Sequence, residues 1–511
     1  MSEQGEPSGE LVERDDLFPE QEVDYVDPRK PVTARGVAIV SARVVTGLIG
    51  IGIAAATIAA SALLPLPVIR AVPASTVVNP VPTAQQLVCP GAVLRLSDET
   101  GQGATTASAI GKPGTSYLSS TGSVDARPLS VSDASTGGTP AAPLVISTPP
   151  NQADPSQQLL LSGAQSQSVG EDEFVGLAAA DCGVANGDSW LAGGATTVGR
   201  TTLLTLSNPT EVPATVNLEL YGESGAISAP GTSGIIVPAA GQRVLSLAGF
   251  KPDIVSPIVH VSSSGGQVVA SLQESIVRGL DAGGVDIIGA TNPAGLVNVI
   301  PGMVVHNAAA VQALRGRGQA YDDVVPMLRL FAPGTGTVTT TVSVIPEDGA
   351  AGGTSFAYEL EAGRVVDVPF SDLADGNYTV KIVSPVPVVA AARVTTAVIG
   401  GPTDFAWLPA AAELHGQAQL TAAPGPASAL HVANTGTVDA ALTLTAQDGG
   451  SRQLAVPAGS SALVAVQPGS SYRLSGFTSL FAAVTLVADG AIAGYTVSPP
   501  GAGSTPVTVY R

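Results

Sequence analysis

The feature that most constrains this chain is an uncharged apolar run from Val44 to Leu64. As an α-helix, a run of this length spans roughly 31 Å, which matches the ~30 Å hydrocarbon core of a bilayer. Four basic residues lie between positions 29 and 43, whereas Arg70 is the first charge after the run. This asymmetry predicts a cytoplasmic N-terminus. We therefore predict a single-pass cell-membrane protein, anchored in the lipid bilayer by one transmembrane helix (core 44–64), whose C-terminal region is extracellular.

A cleaved signal peptide is the alternative interpretation, because residues 60–62 (ASA) and 72–74 (VPA) loosely resemble small-residue cleavage sites. Signal peptides have a short basic leader and an apolar core of roughly 7–15 residues. Here 43 residues precede the apolar run, and the run itself is longer than such a core. The pattern therefore favours an uncleaved anchor.

The segments that flank the run differ in composition. Residues 1–34 are acidic and poor in apolar side chains, which predicts a disordered cytoplasmic tail. Residues 35–69 comprise the juxtamembrane segment and the predicted helix. Residues 70–88 contain spaced prolines, which favour an extended chain, and we interpret them as a stalk.

Beyond the stalk, the chain alternates apolar and polar residues over short segments such as TVNLELYG (215–222) and DAALTLTAQ (439–447). This period of two is typical of half-buried β-strands, and many short strands at regular spacing indicate antiparallel sandwiches or barrels. Helical periodicity is weak, with an exception at 307–314. We predict an all-β fold of tandem antiparallel, immunoglobulin-like β-sandwich modules.

Internal similarity divides this region into modules. The segment 206–225 (LSNPTEVPATVNLELYGESG) aligns with 432–450 (VANTGTVDAALTLTAQDGG), and a degenerate copy lies at 328–349. The predicted domains are an N-terminal β unit at 89–189 and three β-sandwich modules at 190–300, 301–405 (the degenerate one) and 406–511.

The cysteines, Cys89 and Cys182, both lie in the N-terminal β unit. Outside the cytoplasmic membrane thiols can oxidise, and two cysteines are the minimum for one disulfide. Closing so long a loop contributes about 4–5 kcal/mol in the chain-entropy model. We predict a Cys89–Cys182 disulfide, and the alternatives are two free thiols or thiols used in metal binding or catalysis.

Composition and motifs exclude several functions. The chain has a formal net charge of −19, which repels phosphate, so we predict no nucleic-acid partner. The two cysteines cannot form a four-thiolate zinc site, and the four histidines show no HExxH or HxH spacing. The chain also contains no Gly-x-Ser-x-Gly nucleophile elbow. We predict no enzymatic activity, no cofactor, and no catalytic, metal-binding or cofactor-binding residue.

Isolated polar residues have functional alternatives. Asp372, Asp375 and Asn377 could supply oxygen ligands to calcium, but a Gly-Asn turn explains them without a metal. We expect the histidines to be strand or surface residues with satisfied hydrogen bonds. They are His260, His306, His415 and His431.

Aromatic residues could stack on sugars if they formed exposed platforms. The candidates are Trp190, Trp407, Tyr221, Tyr378 and Tyr472. Both tryptophans precede a copy of the internal repeat. This repeated position favours packing between sheets or modules over glycan binding.

The motif CPGA at 89–92, the later Cys182 and the phrase WLAGGATTVGRTTLLTLSNP from Trp190 resemble an uncharacterised family of actinobacterial secreted or single-pass cell-envelope proteins. The excess of arginine over lysine is similar to that of high-GC organisms. The resemblance implies an extracytoplasmic β-rich protein and carries no catalytic residue.

These features together predict a membrane-anchored extracytoplasmic protein with a non-catalytic structural, scaffolding or binding role in the bacterial cell envelope. Its partner would be a component of the cell wall or a membrane protein. An accessory or regulatory subunit of a membrane-associated envelope-assembly complex is the alternative, and a glycan-active enzyme is a third.

Overall fold

The computed structural model describes residues 75–78, 84–96, 107–132, 142–150, 158–171, 174–347, 349, 353–501 and 507–510. The predicted cytoplasmic tail (1–34) and transmembrane helix (core 44–64) lie outside these ranges. Within them, no helix is long and apolar enough to cross a bilayer. Residues 77–509 form one compact unit, whose fold follows.

Strands dominate the described residues, which confirms the predicted all-β fold. They form where the sequence alternates. In the strand Ala214–Gly222, for example, Val216, Leu218 and Leu220 are buried, while Asn217 and Glu219 between them are exposed. Apolar residues at every second position thus give the strand one face for a core.

Four groups of strands follow one another along the chain, and we call them repeats 1 to 4. Repeat 1 contains β2 (Gln85–Cys89), β3 (Val93–Leu96), β4 (Ala107–Ile110), β5 (Gly114–Ser119), β6 (Asp125–Pro128), β7 (Ser130–Val131), β8 (Leu144–Thr148), β9 (Leu161–Glu171) and β10 (Phe174–Asp181). Repeat 2 contains β11 (Asp188–Ala192), β12 (Arg200–Asn208), β13 (Ala214–Gly222), β14 (Gly225–Ile227), β15 (Ile235–Val237), β16 (Gly241–Ser246), β17 (Ile258–Gly265), β18 (Val269–Arg278) and β19 (Asp281–Ile288).

The other two repeats have seven strands each. Repeat 3 contains β20 (Gly295–Val305), β21 (Met327–Phe331), β22 (Thr337–Pro346), β23 (Thr354–Glu361), β24 (Val365–Pro369), β25 (Gly376–Ala397) and β26 (Thr403–Pro409). Repeat 4 contains β27 (Leu414–Thr421), β28 (Ala427–Ala433), β29 (Ala440–Ala446), β30 (Ser451–Val456), β31 (Ser461–Val466), β32 (Ser471–Ala488) and β33 (Ala491–Thr496). In addition, β1 (Ser75–Val78) pairs with β34 (Val507–Tyr510).

Repeats 2, 3 and 4 each contain two sheets, and repeat 1 contains the same two in shorter form together with a separate β3–β4 pair. The orders of the outer sheets are β2-β8-β6, β11-β17-β13-β14, β20-β25-β22-β23 and β27-β32-β29-β30. The orders of the inner sheets are β10-β9-β5, β19-β18-β12-β16, β26-β25-β21-β24 and β33-β32-β28-β31. In repeats 3 and 4 one long strand, β25 or β32, belongs to both sheets, whereas in repeat 2 the same path is divided between β17 and β18.

Each inner sheet ends in a hairpin, and the four hairpins close a ring. The last strands of the hairpins are β10, β19, β26 and β33, which we call the ring strands. Strand β10 packs against β19 and β33, and β26 packs against the same two strands. Repeat 1 therefore contributes to the ring as the other repeats do, although the copies of the internal repeat seen in the sequence all lie after it.

The hydrophobic cores follow this ring, because each core takes residues from the next repeat. The core of repeat 2 includes Trp407 of repeat 3, and the core of repeat 3 includes Ile492 of repeat 4. The core of repeat 4 includes Leu177 of repeat 1. Phe174, also of repeat 1, packs in a further cluster with Val285 of repeat 2. The repeats therefore share apolar surface around the whole ring.

Small residues allow the ring strands to approach one another. A Cβ atom at Gly284 would lie 2.6 Å from Phe405 Cδ1, and one at Gly494 would lie 2.5 Å from Leu408 Cδ2. Both distances are far below a normal carbon–carbon contact. The chain is only 4% aromatic and rich in glycine, and this composition suits such close packing.

The described helices are short. They are α1 (Leu247–Phe250), α2 (Ala308–Arg315) and a 3₁₀ helix (Gln319–Val324), and α2 confirms the helical periodicity seen at 307–314. The predicted stalk (70–88) ends later than the structure allows, because β2 begins at Gln85 and pairs with β8. Leu87, Val88 and Cys89 are all buried there, so the end of the stalk segment belongs to the fold.

Candidate binding site

The predicted disulfide is present and lies at one end of the ring. It joins Cys89, the last residue of β2, to Cys182, which follows β10, and both cysteines are buried. Next to it, Val88 and Gly183 exchange backbone hydrogen bonds of 2.8 and 2.9 Å. The disulfide and these two hydrogen bonds therefore fix the end of ring strand β10, including its last residue, Asp181.

Two cavities lie where the ring strands end. One, of about 400 Å³, is bounded by residues that follow three ring strands, namely Gly289, Ala410 and Val497. The other, of about 340 Å³, lies between repeats 1 and 4 and is bounded by Gln85 and Gln419, among others. Residues of the segment 496–501 (TVSPPG) border both cavities, as does Asp181.

Among the described residues that line the cavities, Asp181 is the only charged one. Burial raises the pKa of its carboxyl group to about 6, although a hydrogen bond from Ser498 lowers it in part. The Ser498 hydroxyl donates to Asp181 Oδ2 at 2.6 Å. Some surface of Asp181 stays accessible because it faces the cavities. The carboxyl group can therefore bind a ligand and can take up a proton in mildly acidic solution.

Uncharged amides supply further polar groups in the cavities. Gln86 and Gln267 line the cavities, as does Asn292. Among the described residues, none makes a hydrogen bond with these three side-chain amides, whereas the Gln419 amide donates to the Leu118 carbonyl oxygen. Each amide offers two donors and one acceptor. The cavities thus contain hydrogen-bonding groups available to a ligand.

Comparison with known families identifies the chain. The model of DUF5719, a family of unknown function, matches residues 130–467, which is more than half of the chain. The chain belongs to the DUF5719 family. Curated proteins give no significant match. One solved structure in the comparison, titled "Biofilm associated protein - BSP domain", is 8% identical, covers 85% of this chain and 99% of that chain, and has a TM-score of 0.11. That score supports no conclusion about fold or function.

The DUF5719 match contains Asp404, a buried carboxylate at the centre of the ring. Its side chain accepts hydrogen bonds from the backbone N–H groups of Leu177 (2.8 Å), Val285 (3.2 Å) and Ile492 (3.0 Å). These residues belong to the other three ring strands. Burial raises the pKa of Asp404 well above 3.8, against the effect of these hydrogen bonds. Asp404 therefore joins the ring and is unavailable to a ligand.

A second buried cluster, which includes His431 and Glu347 of the match and Thr485 beyond it, resembles a catalytic triad in its order of groups. His431 Nε2 lies 2.7 Å from Thr485 Oγ1, and His431 Nδ1 lies 2.5 Å from Glu347 Oε2. Glu347 also accepts hydrogen bonds from Gly302 N (2.9 Å) and from Thr379 (2.8 Å). His431, Glu347 and Thr485 are at most 3% exposed, and none of them lines either cavity. The cluster joins repeats 3 and 4.

The tryptophans pack between repeats, as their repeated position predicts. Trp407 is 1% exposed, lies under the guanidinium group of Arg329 (4.5 Å) and donates to Glu274 Oε2 of repeat 2 (2.7 Å). Trp190 is 9% exposed and packs on Phe331 of repeat 3. Their positions are not equivalent, however, because Trp190 lies in the first strand of a repeat and Trp407 in a ring strand.

His260 packs against Trp190, which also contacts Tyr221 and Phe331. The imidazole stacks on Trp190 at 4.2 Å between ring centroids, and its two nitrogens lie 2.7 Å from Asp188 Oδ2 and 3.0 Å from Glu219 Oε2. The hydrogen bond to His260 lowers the pKa of Glu219. Of the remaining aromatic candidates, Tyr472 is buried and accepts a hydrogen bond from Gln467 N. The Tyr378 hydroxyl donates to the Ala374 carbonyl oxygen.

One of the three possible calcium ligands, Asp375, is engaged by the backbone of α2. Asp375 Oδ1 accepts a hydrogen bond from Ala308 N (2.7 Å), so this carboxylate satisfies the first turn of α2. Across the described ranges, no group of three His, Cys, Asp or Glu residues has the geometry of a metal site.

Sequence reasoning missed the cavities, Asp181 included. Asp181 is adjacent to Cys182, but its partner Ser498 lies 317 positions further along the chain. Neither residue belongs to a recognisable motif. Only the ring, which joins the first repeat to the last, brings them together.

Proposed function

We propose that this chain is a membrane-anchored, extracytoplasmic, non-catalytic binding protein of the bacterial cell envelope. The disulfide is the observation that carries the proposal. It closes a loop of 93 residues and holds the end of β10 beside the cavities. Structural disulfides form and persist mainly in oxidising environments outside the cytoplasm. The predicted helix at 44–64, with basic residues on its N-terminal side, supplies an anchor with the matching orientation.

The buried polar clusters support a non-catalytic role. Hydrolysis by a triad would require a substrate to reach the Thr485 hydroxyl, but Thr485 is 3% exposed. The Asp404 carboxylate is likewise committed to the backbone of three strands. By contrast, the cavities at the ring ends combine accessible volume with unused amides, which is typical of a binding site.

We further propose that each repeat is an immunoglobulin-like β-sandwich. In repeats 2, 3 and 4 the two sheets enclose one apolar cluster, and the order of strands is the same. The sequence resemblance to actinobacterial envelope proteins favours the same setting.

Protease accessibility tests the location. The full-length protein carries one epitope at each terminus and is expressed in a bacterium whose wall can be removed. Added protease should cleave the C-terminal region of intact spheroplasts and leave the N-terminal epitope protected, while a cytoplasmic marker protein stays whole. Loss of the N-terminal epitope with survival of residues 85–496 would show the opposite orientation.

Thiol labelling tests the disulfide on which the proposal depends. Protein taken from cells without reductant and then denatured should resist alkylation, and after reduction it should take up two labels per chain, one at Cys89 and one at Cys182. Alkylation of both cysteines without prior reduction would contradict an oxidising location.

A further inference from the structure

We infer that the two cavities at the ends of the ring strands form one binding site for a neutral, hydroxyl-rich ligand, a short saccharide. This inference rests on the proposed binding role and names the ligand class of that site. The shared boundary carries the first step. Asp181, Val184 and the segment 496–501 border both cavities, so one ligand can contact both sides of this segment. Cavities of about 340 and 400 Å³ lie within the range of small-molecule sites, roughly 300–1,000 Å³.

The charge of the lining selects a neutral ligand. No lysine, arginine or histidine is among the described residues that line the cavities, and Asp181 is the one carboxylate. A phosphate or carboxylate on the ligand would meet this carboxylate without a counter-charge. The net charge of −19 would also repel an anion at a distance.

The hydrogen-bonding groups select a ligand with many hydroxyls. Gln86, Gln267 and Asn292 each offer donors and an acceptor, and Asp181 adds acceptors. A hydroxyl donates one hydrogen bond and accepts others. Two neighbouring hydroxyls of a sugar can therefore pair with one side-chain amide, one with its carbonyl oxygen and the other with its NH₂ group. Each amide that loses water on binding then recovers its partners, which avoids the cost of a buried, unpaired polar group.

The positions of the amides favour a compact ligand over an extended peptide. Gln86 lies in β2, Gln267 lies between β17 and β18, and Asn292 follows β19. Repeats 1 and 2 thus present these groups from different elements, not along one strand edge as in peptide recognition by β-augmentation. Apolar side chains in the lining, such as Val184 and Pro499, can contact the C–H faces of a sugar ring.

The test measures binding of defined probes to the oxidised, full-length protein in phospholipid nanodiscs, which contain no sugar detergent. Saturation-transfer NMR and titration calorimetry are applied with chitotetraose, maltotetraose, the anionic tetragalacturonate and the peptide tetraalanine. We expect at least one neutral tetrasaccharide to bind, and tetragalacturonate and tetraalanine to bind at least tenfold more weakly.

Variants place the binding in the cavities. The double variant Gln267→Ala/Asn292→Ala should weaken saccharide binding about tenfold, since two hydrogen bonds are lost. Both side chains are at least partly exposed, so the fold should persist, which thermal unfolding checks. The control variant Gln312→Ala/Gln453→Ala removes two exposed amides outside the cavities and should bind saccharide as the native protein does.

Three results would overturn the inference: no binding of either neutral saccharide, tighter binding of tetraalanine or tetragalacturonate, or saccharide binding that the cavity variant leaves unchanged. None of them affects the proposed location, which the protease assay measures independently. If, for example, the protein is exposed outside the membrane but binds only the peptide, the proposed function stands and the saccharide inference is wrong.

Discussion

At the scale of single residues, two asparagines hold equivalent turns in repeats 2 and 4. Asn208 Nδ2 donates to the carbonyl oxygens of Val212 (2.8 Å) and Val237 (3.2 Å). Asn434 Nδ2 donates to those of Val438 (2.9 Å) and Val456 (3.0 Å). In each case the amide oxygen accepts a backbone N–H two residues further on. One side chain thus links a turn to a neighbouring strand.

Replacement of Asn434 by alanine should lower the free energy of unfolding by about 1–3 kcal/mol, because the carbonyl groups of Val438 and Val456, the latter in a buried hydrogen bond, lose their donor. Urea unfolding followed by tryptophan fluorescence measures the change. Thr437→Ala, an exposed substitution in the same turn, serves as the control and should have little effect. Equal stability of the two variants would show that the asparagine does not hold the turn.

The raised pKa of Asp181 predicts a dependence of stability on pH. The folded protein retains the proton of Asp181 up to pH about 6, whereas the unfolded chain loses it near 3.8. The folded state therefore binds more protons between these values, and this contribution to stability declines as the pH rises from 4 to 6. Two pKa units correspond to about 3 kcal/mol.

Asp181→Asn removes this titration while keeping the size of the side chain. The stability of the variant relative to the native protein should therefore increase by up to about 3 kcal/mol between pH 4 and pH 7. Urea titrations at several pH values measure the difference. The exposed Asp372→Asn is the control and should run parallel to the native protein. A constant difference between Asp181→Asn and native protein over this range would contradict the raised pKa.

At the scale of elements, the third repeat lacks the asparagine of the turn. Ala332 occupies the equivalent place after β21, where its backbone oxygen accepts a hydrogen bond from Gly363 N. Arg329 of β21 instead forms two hydrogen bonds with Asp367 (2.8 and 2.9 Å) and donates to the Gly194 carbonyl oxygen of repeat 2 (2.9 Å). Arg329, which pairs with Asp367 inside repeat 3, thus joins this repeat to repeat 2 by a hydrogen bond from its guanidinium group.

The helical insertion of repeat 3 is held by arginines from two repeats. Asp323 in the 3₁₀ helix lies 2.8 Å from both Arg200 and Arg278 of repeat 2, and 3.8 Å from Arg393 of β25. Burial opposes ionisation of Asp323, but the three guanidinium groups together lower its pKa well below 3.8. One carboxylate thus pairs with three guanidinium groups at the base of the insertion, beside the apolar cluster of α2.

Asp323→Ala should free this insertion, because it leaves buried guanidinium groups without their counter-charge. We expect a loss of roughly 3–5 kcal/mol in unfolding free energy and new protease cleavage between residues 316 and 324. Limited proteolysis with mass spectrometry locates the cuts. The neighbouring exposed Asp322→Ala is the control. Protection of the insertion in Asp323→Ala would show that apolar packing of α2 alone holds it.

The sequence allowed the local features of these elements to be predicted, and the structure explains why. Strand alternation, the Asn turns and the start of α2 depend on residues a few positions apart. The all-β class and the similarity of repeats 2 and 4 were therefore visible. The contacts that join the repeats, such as Asp404 with Leu177, connect positions 227 apart and leave no local pattern. The hairpin of repeat 1 was missed for the same reason, since its alanines and glycines lack the alternation of the other strands.

At the scale of the whole unit, the ring has to close between the first and last repeats. The apolar contacts of β10 with β33 and β19 supply part of this closure. Asp404 supplies the polar part, because it satisfies backbone N–H groups that the sheet edges leave unpaired. A closed ring also explains how the cavity of about 400 Å³ forms, since residues at the ends of all four ring strands line it.

Asp404→Ala should therefore weaken the ring as a unit. Three buried N–H groups would lose their acceptor, and each unsatisfied group costs about 1–3 kcal/mol. Native-state hydrogen exchange should accelerate at Leu177, Val285 and Ile492 together, although they belong to three different repeats. The control Asp372→Ala changes an exposed carboxylate and should leave these amides protected. Faster exchange at one of the three positions alone would mean that the repeats open independently, and that Asp404 binds single strands without coupling the ring.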